Sequence, residues 1–105
     1  MCDDVIARRI FKVDGHDVEC RFFKPEEDQG GYSCRYQITW PEGSKTKSAG
    51  GVDGVQALLL AMMIAHTDLL AARNMSGRVV EWLDQQSLGL PVTPSVRHWD
   101  PDNNI

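Results

Sequence analysis

The chain lacks a long apolar run, a CxxC pair and an excess of base. Its longest unbroken apolar stretch, residues 57–65, is nine residues between Gln56 and His66. A bilayer-spanning helix needs about 20, so no membrane span is expected. The first residues, Met-Cys-Asp-Asp, place acid where a secretory signal carries base, and no apolar segment of signal length follows. Export by that route is not expected, and a cytoplasmic location is. Cysteine is sparse: Cys2, Cys20 and Cys34 are odd in number and without CxxC spacing, which suits free thiols in a reducing compartment better than a disulfide framework. His16, His66 and His98 are scattered, and no Cys or His pair has the short spacing of zinc ligands; no metal or other cofactor is implied. With 11 Lys plus Arg against 15 Asp plus Glu, net −4, the basic stripe of a nucleic-acid binder is missing. Gly-x-Ser-x-Gly, His-Glu-x-x-His and a phosphate-binding glycine loop are absent as well.

What is present suits a single α+β domain. At 105 residues, 42% of them hydrophobic, the chain is long enough for one core, and area scaling predicts roughly 5,900 Å² of folded surface. Residues 5–13 alternate as a strand, and Asp14-Gly15 supplies the two positive-φ positions of a type I′ turn. The alternation resumes through Val18, Cys20 and Phe22, which sets a register: Phe11 opposite Val18, Lys12 opposite Asp17, and Arg9 with Cys20 on the more apolar side. Pro25 to Gly31 is acidic and glycine-rich and reads as an exposed loop. Tyr32, Cys34, Tyr36, Ile38 and Trp40 alternate with polar residues as the clearest strand. After a turn at Pro41-Glu42-Gly43-Ser44, the short basic segment 45–49 reads as an edge strand guarded by lysines.

Asp53 is a good N-cap, and Gln56 three residues later completes a capping box. The helix they open should run to about Arg73. It carries lines of large apolar side chains and a stripe of alanines at 57, 61, 65 and 72, with a narrow wet strip around Gln56 and Thr67, so cover on more than one side is expected. Gly77 suits a left-handed chain reversal, residues 78–83 read as a further strand, and residues 84–91 read as a loop. The order β-β-β-β-α-β predicts an antiparallel sheet of about five strands with one long helix on one face. Residues 1–95 form the expected domain and 96–105 a partly mobile C-terminal tail.

From Gly51 to Pro91 the pattern Gly-Val-Asp-x-x-Gln-Ala-Leu-Leu-Leu-Ala, then Gly-x-Val-x-Trp-Leu, then Leu-Gly-Leu-Pro resembles a family of small bacterial proteins carrying a domain of unknown function. The resemblance implies bacterial origin and a one-domain α+β fold. It brings no activity, ligand or catalytic residue.

Each chemically suggestive residue has a plain structural role to weigh against it. Glu26, Glu27 and Asp28 lack the alternating ligand pattern of a calcium loop and read as solvated acids. Asp53 and Gln56 are accounted for by capping. His66 falls near the covered side of the helix, as a hydrogen-bonded histidine or a general base. Cys20 and Cys34 occupy apolar strand positions, where cysteine behaves as a small core residue. Tyr32, Tyr36 and Trp40, near Arg35 and Lys45, resemble the stacking platform of sheet-based RNA binders, but they lie on the face the helix must cover. In the tail, Arg97 and Trp99 are the residues that would anchor a partner, since both types are enriched at binding hot spots; docking of Trp99 on the second sheet face, over Ile6, Ile10 and Phe23, is the competing role. No catalytic, cofactor-binding or metal-binding residue is assigned.

The function these features favour is a non-enzymatic protein-interaction module, with neutralisation of a basic toxin or nuclease as one form that small size and negative charge would suit. Its expected partner is another protein, with neither nucleic acid nor membrane involved, and the chain itself a monomer or homodimer. A pocket between helix and sheet near His66, serving a small molecule, is the rival. A homodimer joined through the alanine stripe or an open strand is the third reading.

Overall fold

Asp14 and Gly15, with φ of 52° and 83°, close the first hairpin as the two-residue turn that strand twist favours. The computed structural model describes residues 4–103, so Cys2 lies outside the described residues. β1 (Val5–Val13) pairs antiparallel with β2 (His16–Phe23) in the expected register, Phe11 opposite Val18, Lys12 opposite Asp17 and Arg9 opposite Cys20. Beyond β2 the acidic stretch is no irregular loop. Gln29 and Gly30, with φ of 50° and 85°, close a second tight turn, so that β3 (Glu26–Asp28) pairs with the start of β4 (Gly31–Trp40). β2 pairs with β4 further along, Cys20 opposite Ile38 and Phe22 opposite Tyr36. β3 therefore continues the line of β2 after a one-residue slip around Lys24 and Pro25, where proline has no N–H for the ladder.

β5 (Gly43–Gly51) pairs with β4 along its whole length. It begins two residues earlier than its polar sequence suggested, because Gly43 at φ 143° joins the ladder opposite Trp40. β6 is shorter than expected, only Val80–Glu81, and pairs with the free edge of β1. The result is a six-stranded antiparallel sheet, the run β3-β4-β2-β1-β6 with β5 on the other side of β4.

α1 (Gly54–Asn74) begins where the capping box predicted: Gln56 N donates to Asp53 Oδ1 at 2.9 Å, and Gln56 Oε1 accepts from Val52 N at 2.7 Å. Gly77 at φ 69° helps reverse the chain after it. α1 lies across β4 and β5 and reaches β2 and β6. Three alanines of its stripe, Ala57, Ala61 and Ala65, are fully buried, which lets the helix axis approach the sheet closely, while Ala72 is half-buried. Against the buried three stand Cys20, Phe22, Cys34, Tyr36, Ile38 and Ala49. These three alanines are thus used inside the molecule. The folded surface measures 6238 Å², close to the scaling value.

The rest of the inner face is covered by an irregular strap, residues 84–93, followed by a 3₁₀ helix, Pro94–Trp99. Leu88, Leu90 and Val92 join the core, and Trp99 packs against it from a half-buried position. Ile6 and Ile10 on the opposite face stay about half exposed, so Trp99 does not cover them. Phe23 is sheltered instead by Arg35, whose guanidinium stands 4.4 Å from its ring centre.

Closeness at the start of the helix rests on Gly51, where an added Cβ would sit 2.5 Å from Ala57 N. Gly51→Ala is expected to lower stability by about 2–3 kcal/mol, as overpacking against fixed backbone does. Gly50→Ala, whose Cβ would meet nothing nearer than 3.8 Å, should change it by less than about 0.5 kcal/mol. Urea midpoints of the two variants check this.

Candidate functional site

The strap runs under the flank of α1 with its backbone out of water, and buried carbonyls must find donors. Each carbonyl from Leu88 to Leu90 meets a side-chain donor. Arg9 Nη1 donates to Leu88 O and Gly89 O, both at 2.9 Å, and Asn103 Nδ2 donates to Leu90 O at 2.8 Å. Pro91 O lies 3.2 Å from His66 Nδ1. The Leu88 N–H donates to Asp100 Oδ2 at 3.1 Å. Arg9 is held flat over the Trp82 ring, 3.8 Å from its centre.

Here His66 finds its place. It is fully buried, as is Asp100, and its Nε2 lies 3.0 Å from Asp100 Oδ2. Burial alone would push the Asp100 carboxyl up, but the Leu88 N–H, the Asn103 amide and His66 together hold it below the ordinary carboxylate range. Burial pushes the His66 imidazole down, against the pull of the Pro91 carbonyl and of Asp100. A neutral ring has one N–H and gives it from Nε2 to the ionised Asp100, so Nδ1 faces the Pro91 carbonyl without a proton. The pair is a buried tie, closed to substrate.

The cysteines are as inert. Cys20 is buried, and desolvation pushes its thiol up to about 12; Cys34, also raised by burial, donates its S–H to Phe23 O at 3.2 Å. A thiol held protonated is a poor nucleophile. The small-molecule reading placed a pocket beside His66, but the interior there is filled by the strap.

A cleft does open between helix and sheet, on the other flank of the C-terminal half of α1. Its volume is about 340 Å³. Ile38 and Trp40 of β4 and Ala71, Ala72 and Met75 of the helix end supply apolar lining. Lys45 and Lys47, which share the face of Ile38 and Tyr36 across the β4–β5 ladder, stand on one wall. Asp68 accepts from the Tyr36 hydroxyl at 2.6 Å and from Lys47 Nζ at 3.1 Å. Burial first, and Asp68 second, push the Tyr36 phenol up, so it stays a donor. Arg78 joins Glu42 in the lining, bonding both its carboxylate oxygens at 3.1 and 2.9 Å, and reaches Asp14 at 2.8 Å.

The remaining sequence-flagged residues are dispersed. Glu26, Glu27 and Asp28 are exposed along β3. Tyr36 is buried beneath the helix, with Tyr32 and Trp40 half-buried against the core. Arg97 is exposed and Trp99 half-buried on the 3₁₀ helix, and neither lines the cleft. Among the described residues no group of three His, Cys, Asp or Glu side chains comes together as a metal set. Tyr36, Trp40 and Lys45 were legible as parts of a stacking platform, but the cleft they line was not; Lys47 was legible only as an edge guard and Ala72 only as helix packing.

Fold and sites together define a small sheet-and-helix protein whose polar interior serves architecture. The chain belongs to the family of the domain of unknown function DUF6968, whose model matches residues 7–92. No curated protein and no solved structure matches it.

The His66–Asp100 tie has a pH signature. A histidine whose folded pKa lies below its unfolded value of about 6.5 leaves stability complete above that value and removes it as pH falls through it. The Asp100 contribution is present above the unfolded carboxylate value and is lost only at still lower pH. The wild-type urea midpoint is therefore expected to drop between pH 7.5 and 5. His66→Gln should lower stability by about 1–3 kcal/mol at pH 7.5 and flatten that drop. An undiminished drop in the variant would contradict the assignment.

Proposed function

We propose that the protein is a non-enzymatic interaction module that docks on another protein through the outer face of the N-terminal half of α1. The supporting observation is the uneven cover of the helix. Towards its C-terminal half, both the sheet and the strap bury it, taking in His66, Leu69 and Leu70. Over the first half only the sheet does, and on either side of the exposed Gln56 the outer face keeps apolar side chains in water: Val52 is 80% exposed, Val55 68%, Leu59 46% and Ile64 37%. No Asp, Glu, Lys or Arg occurs between the N-cap Asp53 and Asp68, so past its first residues this surface has no charge with which to hold water. Exposed apolar side chains gathered on one element mark interaction sites, and each Å² removed from water contributes roughly 25 cal/mol. A partner with a complementary apolar face is the chemistry that fits it. The sealed histidine and protonated thiols favour binding over catalysis.

A photo-crosslinking residue placed at Leu59, in the cells that make the protein, is expected to yield an adduct with one other protein. The same residue at Thr39, on the far face of the sheet, should yield none. Val55→Glu in the crosslinking variant should abolish the adduct, and Leu59→Lys should weaken binding of the recovered partner at least about tenfold, or 1.4 kcal/mol. Adducts confined to a second copy of the chain, adducts equal at both positions, or none at all would each overturn the proposal.

A further inference from the structure

We propose that the cleft between the C-terminal half of α1 and strands β4 and β5 binds a small amphiphilic anion, an apolar or aromatic body carrying a single carboxylate. Volume, lining and charge each support this. At about 340 Å³, the cleft lies at the lower end of the range of roughly 300–1,000 Å³ typical of small-molecule sites. It stays open because Ala71, Ala72 and Ser76 stand in its lining where longer side chains would fill it. Trp40, Ile38 and Met75 offer the apolar surface for the ligand body.

The charge balance selects the head group. Asp68 has both oxygens engaged, by Tyr36 and Lys47. Glu42 has both engaged by Arg78. Lys45 feels the charge of Glu42 but makes no hydrogen bond or ion pair among the described residues. One ammonium group is thus left uncommitted at the edge of an apolar cleft, in a chain of net charge −4. A carboxylate complements it directly, whereas an amine would have to displace Lys47 or Arg78 from its carboxylate.

Phenylbutanoate and phenylbutylamine, which share a body and differ in the sign of the head, are the probes, followed by amide NMR shifts of the whole chain. Phenylbutanoate is expected to shift the resonances of Ile38, Trp40, Lys45 and Ala72 saturably, with an affinity at least about tenfold above that of the amine. Lys45→Gln should remove that preference without disturbing the fold, and Ala72→Leu should block both probes. Equal binding of the two probes, shifts centred on Val55 and Leu59, or no saturable shift would each overturn the proposal. Because the reporting residues lie outside the docking face on the first half of α1, failure here leaves that proposal standing.

Discussion

The backbone from Leu88 to Pro91 is the constraint on which the rest of the molecule depends. It has no strand partner, yet it lies in the wedge between α1 and the β1 side of the sheet, where each unmet carbonyl would cost about 1–3 kcal/mol. The donors come from far apart in sequence, Arg9 on β1 and Asn103 beyond the 3₁₀ helix, with Asp100 accepting from both the Leu88 N–H and His66 in mid-helix. Gly89 is required for the same reason. It sits at φ 65°, and a Cβ there would press to 2.4 Å of the Trp82 ring that stacks beneath Arg9. Four polar side chains, His66 among them, are thereby spent on architecture.

That commitment explains the asymmetry of α1. Where the strap passes, the helix is buried through much of its circumference, and even a histidine is sealed against it. Before the strap arrives, the same apolar composition faces water. α1 has the length and hydropathy of a bilayer span, 21 residues at a mean hydropathy of 1.6 over its best window, yet only 39% of that window is buried. An apolar helix so little buried is one that the fold itself leaves unfinished, which is the physical ground for assigning its outer face to a partner.

Much of the fold was legible in the sequence because its signals are local. Asp14-Gly15 fixes a turn, the turn fixes a register, and the register put Arg9 opposite Cys20. Strict alternation in β4 and the Asp53–Gln56 capping pair were equally local, since each side chain acts within a few residues of itself. What escaped was non-local or chemically disguised. Gln29-Gly30 lacks the Asn or Asp that usually marks a type I′ turn, and the acids around it imitate a solvated loop, so β3 was hidden. The strap was hidden because satisfaction of its carbonyls by Arg9 and Asn103 spans up to 80 positions in sequence. His66 could be placed near a covered side by helical period alone, but Asp100 as its partner could not.

The cleft escaped for a subtler reason, which also explains why it exists. Small side chains at 57, 61 and 65 bring α1 down onto the sheet, and Gly51 permits an approach that a single added carbon would prevent. A straight helix cannot keep that distance along a sheet that twists, so closeness fixed at one end implies divergence at the other. Long side chains at the diverging end would fill the gap; here Ala71 and Ala72 do not. The alanines that read as packing in the sequence therefore do opposite things at the two ends of one helix, closing the interface at the first and leaving it open at the second. In the open part, β5 projects Lys45 and Lys47 from the ladder positions facing Ile38 and Tyr36. Those lysines sit on an edge strand, but the register turns them inward over apolar surface, where only one of them has a carboxylate to hold.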